Sequence, residues 1–449
     1  MSIPPIRSIA FMLTLVTASA FALDEPLPRR GLLGAQLMQV DEEVRIAAGL
    51  ERRQGIQVLK VMPDSAALTA GLEHGDIILS VDKVELSGRD VLTDAVSEIG
   101  SHRSGEGIDL HVIRGGEKRV VTARLTPIPE ETYPGFETEY GYVIVDGARH
   151  RTIVTKPKGV GPFPAVLFLQ GLGCSSVDYW YNPDDHVRQL LAGFTDAGFV
   201  TVRAEKRGVG DSEGAPCNEM DFQTELRGHQ AAFDYTKALA YTNDMFIFGH
   251  SMGGVFAPLV AASRDVAGVT IFGTIGKPLR LYFPENNERQ AKLRGRSESN
   301  LAEQGAVLNA FVELFFEERL SPGEIEARNP DFISFFKPRK SDATHFHGVH
   351  YTFWHQLDDI DKAEAWANAG APALILYGEA DYAASRDDHP YIRDAVNAAH
   401  PGDATFIELE NIGHAFESAD TQKETMRNRF AGEFNPIVVE TTVKWMRER

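Results

Sequence analysis

Met245-Phe246-Ile247-Phe248-Gly249-His250-Ser251-Met252-Gly253-Gly254-Val255-Phe256-Ala257 is the stretch whose reading decides the fold. Its first four residues are an apolar run of strand length that ends at a glycine. Its last four are small or apolar and read as the start of a packed helix. Between them stands Gly-x-Ser-x-Gly. A strand, this turn and a helix make a sharp elbow that lifts the serine hydroxyl to the strand tip. So tight a turn requires small residues around the serine, and Gly249 and Gly253 meet that need. Ser251 is therefore the candidate nucleophile.

The chain around the elbow has 449 residues, enough for two or three domains. With 43% hydrophobic and 24% charged residues, the composition is that of an ordinary globular protein. A formal net charge of -19 argues against nucleic acid or an anionic membrane as a partner. The N-terminus carries Arg7, a short apolar run from Ile9 to Ala18, and two Ala-x-Ala sites, Ala18-Ser19-Ala20 and Ala20-Phe21-Ala22. Residues 1–22 read as a signal peptide cleaved after Ala20 or Ala22. The run is too short to span a bilayer comfortably, and the alternative is an uncleaved anchor. The mature chain is expected to be exported, periplasmic or secreted, with no membrane span. Its two cysteines are Cys174 and Cys217. An even pair in an oxidising compartment points to one disulfide, with two buried free thiols as the alternative.

Two blocks follow the leader. The first, residues 31–127, contains Pro63-Asp64-Ser65-Ala66-Ala67, Ala70-Gly71-Leu72 and Gly75-Asp76-Ile77-Ile78-Leu79-Ser80-Val81-Asp82. Alternating residues Ile108 to Val112 and Arg119 to Leu125 flank a Gly115-Gly116 turn and predict a hairpin. Asp90 to Ile99 predicts a helix with Val91, Ala95, Val96 and Ile99 on one face. The pattern P-x-S-x-A…A-G-L-x-x-G-D-x-I-x-x-V-D resembles a PDZ domain across the whole block. The resemblance implies a small β-sandwich or barrel-like domain that binds peptide or protein C-termini by strand addition. The turn Gly31-Leu32-Leu33-Gly34 would receive the terminal carboxylate, with Leu32, Leu33 and Gly34 as binding residues. The alternative is a PDZ fold that packs on the second block and binds nothing. Residues 128–137, rich in proline, glycine and acid, read as a linker.

The second block, residues 138–449, alternates apolar strand-like runs with helical stretches. Val166 to Leu169, Phe199 to Arg203, Met245 to Phe248, Val266 to Phe272 and Ala373 to Tyr377 read as strands. Asp184 to Ala197 and Glu225 to Ala240 read as helices. This alternation predicts an α/β fold with a mostly parallel, doubly wound sheet. Ligands of such sheets bind beyond the carboxyl ends of the strands, where Ser251 sits.

A serine hydroxyl needs a base, and the base needs an orienting acid. Leu374-Ile375-Leu376-Tyr377-Gly378-Glu379-Ala380-Asp381 is a strand running into a loop that ends in an acid. Asn411-Ile412-Gly413-His414-Ala415-Phe416 is a later loop histidine. The order Ser, Asp, His and the whole second block resemble the α/β-hydrolases. The resemblance implies Ser251 as nucleophile, Asp381 as acid and His414 as base, with Asp387 or Asp388 as alternative acids. It also implies an oxyanion hole from the backbone N–H groups of Met252 and Leu172, the latter in Gln170-Gly171-Leu172-Gly173. Lys206 to Gly214 matches the family's R-G-x-G-x-S-x-G loop and is expected to be structural. Arg207 would tie neighbouring loops or clamp a substrate carboxylate. A Cys174–Cys217 bridge would then join two walls of the site.

Residues 276–345 read as an inserted helical cap. Glu288 to Phe316 has helical character, and Leu308, Phe311, Leu314, Phe315 and Phe316 form an apolar patch. The patch either faces an apolar substrate or packs helices. His345, His347, His350 and His355 cluster without sharing one helix face, and no H-E-x-x-H occurs. No cofactor and no metal site are expected. The second block most resembles bacterial carboxylesterases with an N-terminal accessory domain, which implies ester cleavage through an acyl-enzyme on a small-molecule ester. One alternative is a serine peptidase of prolyl-oligopeptidase type, with the PDZ domain presenting peptides. Another is a PDZ binding protein with a vestigial hydrolase core.

Overall fold

The structure is a computed structural model that describes residues 26–88, 90–337 and 341–449. The leader expected over residues 1–22 lies outside the described residues. Among them, no helix is long and apolar enough to cross a membrane.

The first module contains β1 (Gly31–Leu32), β2 (Ala35–Gln39), α1 (Glu42–Ala47), β3 (Ile56–Val61), α2 (Ala66–Thr69), β4 (Ile77–Val81), β5 (Val84–Glu85), α3 (Val91–Ser101), β6 (Gly107–Arg114), β7 (Glu117–Arg124) and β8 (Thr126–Pro127). Its main sheet is antiparallel in the order β2-β3-β4-β6-β7, and β1 pairs with β8. The core gathers Ile56 and Val58, and Leu110 and Val112, from alternate strand positions, with Ile78 and Val81 on either side of an irregularity in β4. Helix α3 buries Val91, Ala95 and Ile99. Val96, expected on that face, is 57% exposed instead. It follows Ala95 by one residue, a turn of about 100° around the helix.

The second module continues with β9 (Phe136–Val145), β10 (Ala148–Pro157), β11 (Phe163–Leu169), α4 (His186–Asp196), β12 (Val200–Ala204), α5 (Phe222–Ala238), β13 (Thr242–His250), α6 (Gly253–Ala261) and β14 (Gly268–Phe272). An insertion then brings α7 (Leu279–Leu293), α8 (Glu298–Val312), α9 (Pro322–Arg328), α10 (Phe332–Phe336), β15 (His345–Phe346), β16 (Val349–His350), α11 (Tyr351–Asp358) and α12 (Lys362–Ala367). The chain returns through β17 (Ala373–Gly378), α13 (Asp388–Ala399), β18 (Ala404–Leu409), α14 (Gln422–Asn428) and α15 (Ile437–Met446).

Eight strands form one sheet in the order β18-β17-β14-β13-β11-β12-β10-β9. The six from β18 to β12 are parallel, and β10 and β9 are antiparallel. The parallel strands are mostly apolar on both faces because both faces are covered. Leu167, Ile247, Ile271 and Ile375 pack into one core. Val166, Phe246, Phe248, Phe272 and Leu376 pack into the other. After β11 the chain moves to β12 on one side, and from β13 it moves to β14 on the other. The loops that follow β11 and β13 thus flank the point where the winding reverses, the place such sheets use for ligands.

The insertion extends beyond the expected stretch and is broken near Gly295, between α7 and α8. Its apolar patch packs inward. Phe311, Phe315 and Phe316 are fully buried against Phe336 and Phe346, and they continue the core that holds Leu167 and Ile247.

The two modules are bound by charge. Arg29 Nη1 donates to Asp178 at 2.7 Å and to Asp211 at 2.6 Å. The Arg30 backbone N–H donates to Asp211 Oδ1 at 2.7 Å, and Arg103 reaches the Asp211 carbonyl at 2.9 Å. Glu131, in the segment between the modules, is buried against Arg203 and receives hydrogen bonds from the Tyr179 N–H and the Tyr133 hydroxyl.

Candidate active site

Ser251 occupies the turn between β13 and α6 with φ of +55°, a left-handed conformation that a serine rarely adopts. Its neighbours hold it there. The Ser251 N–H donates to the Phe272 carbonyl at 2.9 Å, and its own carbonyl accepts from Thr274 Oγ1 at 2.7 Å. A Cβ on Gly249 would lie 2.6 Å from the Gly253 carbonyl oxygen, and one on Gly253 would lie 2.0 Å from that of Leu169. Both glycines are obligatory for packing reasons, as the elbow requires.

His414 Nδ1 lies 2.7 Å from Asp381 Oδ2. A carboxylate only accepts, so Nδ1 carries the proton and Nε2 is left as the basic atom. The second oxygen, Asp381 Oδ1, accepts the N–H groups of Ala383 and Ala384 at 2.7 and 2.9 Å. Burial alone would push the Asp381 carboxyl up, but His414 and these N–H donors outweigh it and hold it below its usual range. Burial likewise works to lower His414, and the facing Asp381 outweighs it, so the imidazole is raised. Asp388, an alternative acid, instead accepts the N–H groups of Gly276 and Lys277 at 2.7 and 2.8 Å. Asp387 precedes α13 as its N-cap and is not bonded to His414.

Ser251 and His414 line one cavity of about 310 Å³ together with Leu172 and Met252. Among the described residues, the backbone N–H groups of Met252 and Leu172 donate to no protein acceptor. Gly171 packs closely on Ser251, since a Cβ there would stand 3.2 Å from Ser251 Cβ. Cys174 and Cys217 form the disulfide, with Cα atoms 5.8 Å apart. It ties the loop after β11 to the loop after β12. Arg207 Nε reaches the Ala215 carbonyl at 3.4 Å, within its own loop.

The insertion roofs the cavity through Phe283 and Asn286 of α7 and Trp354 of α11. Arg289 of α7 donates to the carbonyls of Tyr382 and Ala384 at 2.6 and 2.8 Å. Asn286 donates to that of Ala383 at 2.9 Å. The helix thereby grips the loop that carries Asp381. Of the four clustered histidines, His347 reaches the cavity. His345 lies against Asp342 and Glu219, His350 caps α11, and His355 packs on Phe315. Among the described residues, one group of three potential metal ligands converges, Asp82, Glu98 and His102. It belongs to the first module and not to this cavity.

Three contributors escaped the motifs. His250 binds the His414 backbone, Arg289 grips the acid loop, and Lys206 donates to the Gly171 carbonyl at 2.9 Å. The first two carry no sequence signal. Lys206 sits inside a recognisable loop, but its spacing gives no indication of which carbonyl it meets.

A sheet with this winding, an elbow serine and a histidine–aspartate pair at its carboxyl ends define an α/β-hydrolase. The model of the family described as "Serine aminopeptidase, S33" matches residues 181–419, more than half of the chain, and the chain belongs to that family. A PDZ domain model matches residues 31–125. Esterase EstD of Thermotoga maritima is 23% identical over 297 residues, 65% of this chain and 64% of that protein. The chain thus spans a little less than two thirds of that relative. The first module is 33% identical over 104 residues to a probable periplasmic serine endoprotease, DegP-like, of Pseudomonas fluorescens, 23% of this chain and 21% of that protein. A solved structure of Est1E from Butyrivibrio proteoclasticus with ferulic acid bound has a TM-score of 0.45 and 18% identity, covering 68% of this chain and 98% of that one.

Proposed function

We propose that this chain is an exported serine hydrolase that cleaves carboxylic esters through an acyl-enzyme on Ser251. The 2.7 Å contact between His414 and Asp381, in the cavity that Ser251 enters, carries the reading. His414 Nε2 takes the Ser251 proton as Oγ bonds to the ester carbonyl carbon. The carbonyl oxygen becomes an alkoxide held by the N–H groups of Met252 and Leu172. The intermediate collapses, the C–O bond to the alcohol breaks, and His414 returns the proton to the departing alcohol. Water then adds to the acyl group, giving its proton to His414, and the carboxylic acid leaves as Ser251 regains the proton. Asp381 keeps the histidine in one tautomer and stabilises the imidazolium at each step.

The cavity favours an uncharged ester of modest size. Its walls include Met252, Ile275, Phe283 and Trp354. The family's description keeps a second reading, an aminopeptidase. Among the described residues lining the cavity there is no Asp or Glu to pair with a peptide's α-ammonium. Export is supported by the disulfide and by the periplasmic name of the first module's relative. In that module β2 is an edge strand, and among the described residues the N–H groups of Leu33 and Gly34 have no protein acceptor. That is the arrangement a peptide C-terminus would extend.

The test compares wild type with Ser251→Ala on p-nitrophenyl esters of increasing acyl length and on aminoacyl p-nitroanilides. Ester turnover by wild type alone is the expected result. Equal turnover by both proteins would sink the mechanism, and anilide turnover without ester turnover would favour the peptidase.

A further inference from the structure

Lys206 follows β12 and ends in the interior, with its side chain 3% exposed. Lysine is almost never buried without pairing, and this one has two partners. Nζ donates to the Gly171 carbonyl oxygen at 2.9 Å. It also lies 2.7 Å from Oε1 of Glu225 on α5, a side chain only 4% exposed. Burial works to raise the Glu225 carboxyl, but Lys206 and then His229 outweigh it, so the group stays below its usual range as a carboxylate. A buried pair of this kind carries a desolvation cost that an apolar pair of the same volume would avoid. Its place in the molecule indicates what the charge does.

The Gly171 carbonyl and the Leu172 N–H are opposite ends of one planar peptide unit. Whatever fixes the carbonyl also fixes the direction of the N–H. The partial double bond of the unit does more. A cation on the oxygen draws electron density from the nitrogen, which makes the N–H a stronger donor. Leu172 lines the cavity beside Ser251, and its N–H is without a protein acceptor among the described residues. The disulfide holds the other end of the same loop at Cys174. Glu225 neutralises most of the ammonium's field at long range, so the effect passes through the hydrogen bond to Gly171.

We propose that Lys206 is a positioning residue for oxyanion stabilisation: held by Glu225, it orients and polarises the Gly171–Leu172 peptide so that the Leu172 N–H meets the developing alkoxide. Lys206 transfers no proton and touches no substrate. The inference rests on the acyl-transfer reading of Ser251 given above.

The experiment uses the full chain, p-nitrophenyl acetate for steady-state kinetics, and a fluorophosphonate whose reaction with Ser251 passes through an oxyanion-like state. Lys206→Met alone leaves Glu225 buried and unpaired, so it is expected to be destabilised. The double variant Lys206→Met/Glu225→Gln removes both charges and is the decisive one. Deleting an oxyanion donor outright lowers kcat by about 100- to 1,000-fold. Here the donor stays but loses its support, so a fall in kcat of about 10- to 100-fold is expected, with KM within about two-fold. Fluorophosphonate labelling should slow in parallel, and Lys206→Arg, which still donates to Gly171, should recover most of the rate. A folded double variant with wild-type kcat and labelling rate overturns the proposal. So does a rise in KM with kcat unchanged. If wild type itself shows no Ser251-dependent labelling, the acyl-transfer reading fails first, and the two failures are distinguishable.

Discussion

His250 Nε2 donates to the backbone carbonyl of His414 at 2.8 Å, so the residue just before Ser251 holds the main chain of the histidine opposite it. Burial pushes His250 down to about 3, which keeps the ring neutral at any working pH. A carbonyl only accepts, so the single ring proton sits on Nε2. His250→Phe keeps the ring volume, removes the donor and leaves a buried carbonyl unsatisfied, a loss of about 1–3 kcal/mol. Thermal melts should show the destabilisation, and kcat on p-nitrophenyl acetate should fall about 10-fold as His414 loses its seat. An unchanged kcat would show that the bond is structural only.

The pH profile should carry the signature of the Asp381–His414 pair. The base works when neutral, and Asp381 raises His414 above its ordinary value of 6.5. Ester turnover should therefore climb with pH in one step centred above 6.5. Asp381→Asn removes the charge that raises the imidazole and leaves the burial that lowers it. The step should move to lower pH while the plateau drops by about 10,000-fold, as in other triads that lose their acid. Stability has the opposite sign. A raised folded-state value means that His414's contribution is complete below its unfolded value and is lost as pH rises through the folded one.

Reducing the Cys174–Cys217 bridge should affect both stability and rate. Its loop separation of 43 residues corresponds to about 4 kcal/mol in the chain-entropy model. Melts with and without dithiothreitol, and of a Cys174→Ser/Cys217→Ser variant, should differ from the oxidised protein by several degrees. Turnover should fall as well, because the bridge anchors the loop that carries Leu172.

Gly34 tests the proposed carboxylate cradle. Its φ is +73°, and a Cβ there would lie 2.4 Å from that of Ser65. Gly34→Val should distort the turn and weaken binding of a fluorescent peptide with a free C-terminus at least about 10-fold by anisotropy. The same peptide with an amidated end should bind the wild type poorly. Equal binding of the two peptides would remove the cradle idea.

Much of this was legible in sequence because it is written in local rules. The elbow needed two glycines and an apolar strand, and the steric distances around Gly249 and Gly253 give the reason. Asp381 and His414 come after Ser251 in the chain because they follow β17 and β18, the strands that continue the sheet outward from β13 and β14. The PDZ module is legible from its P-x-S-x-A…G-D-x-I-x-x-V-D pattern, and its last hairpin from strand alternation. What stayed hidden depends on contacts distant in sequence. The patch around Phe311 reads equally as a substrate wall or as helix packing, because periodicity cannot say whether an apolar face meets a ligand or Phe336 and Phe346. Val96 looked like core because a helical face is wider in a sequence pattern than in the packed domain. Lys206 sat in a loop known for its turns, and only the fold brings it to Gly171, 35 residues earlier.

Residues 128–137 look like a tether, yet Glu131 and Arg203 are both fully buried as a pair. The consequence is a rule for taking the molecule apart. A fragment that starts at residue 138 would leave a guanidinium in its interior with no counter-charge, a penalty of about 3–5 kcal/mol. A fragment that starts at residue 128 keeps the carboxylate. The seam at which the second module can be cut, or fused to another partner, therefore lies upstream of Glu131, at the very start of the stretch that composition marks as a linker and not in its middle or at its end.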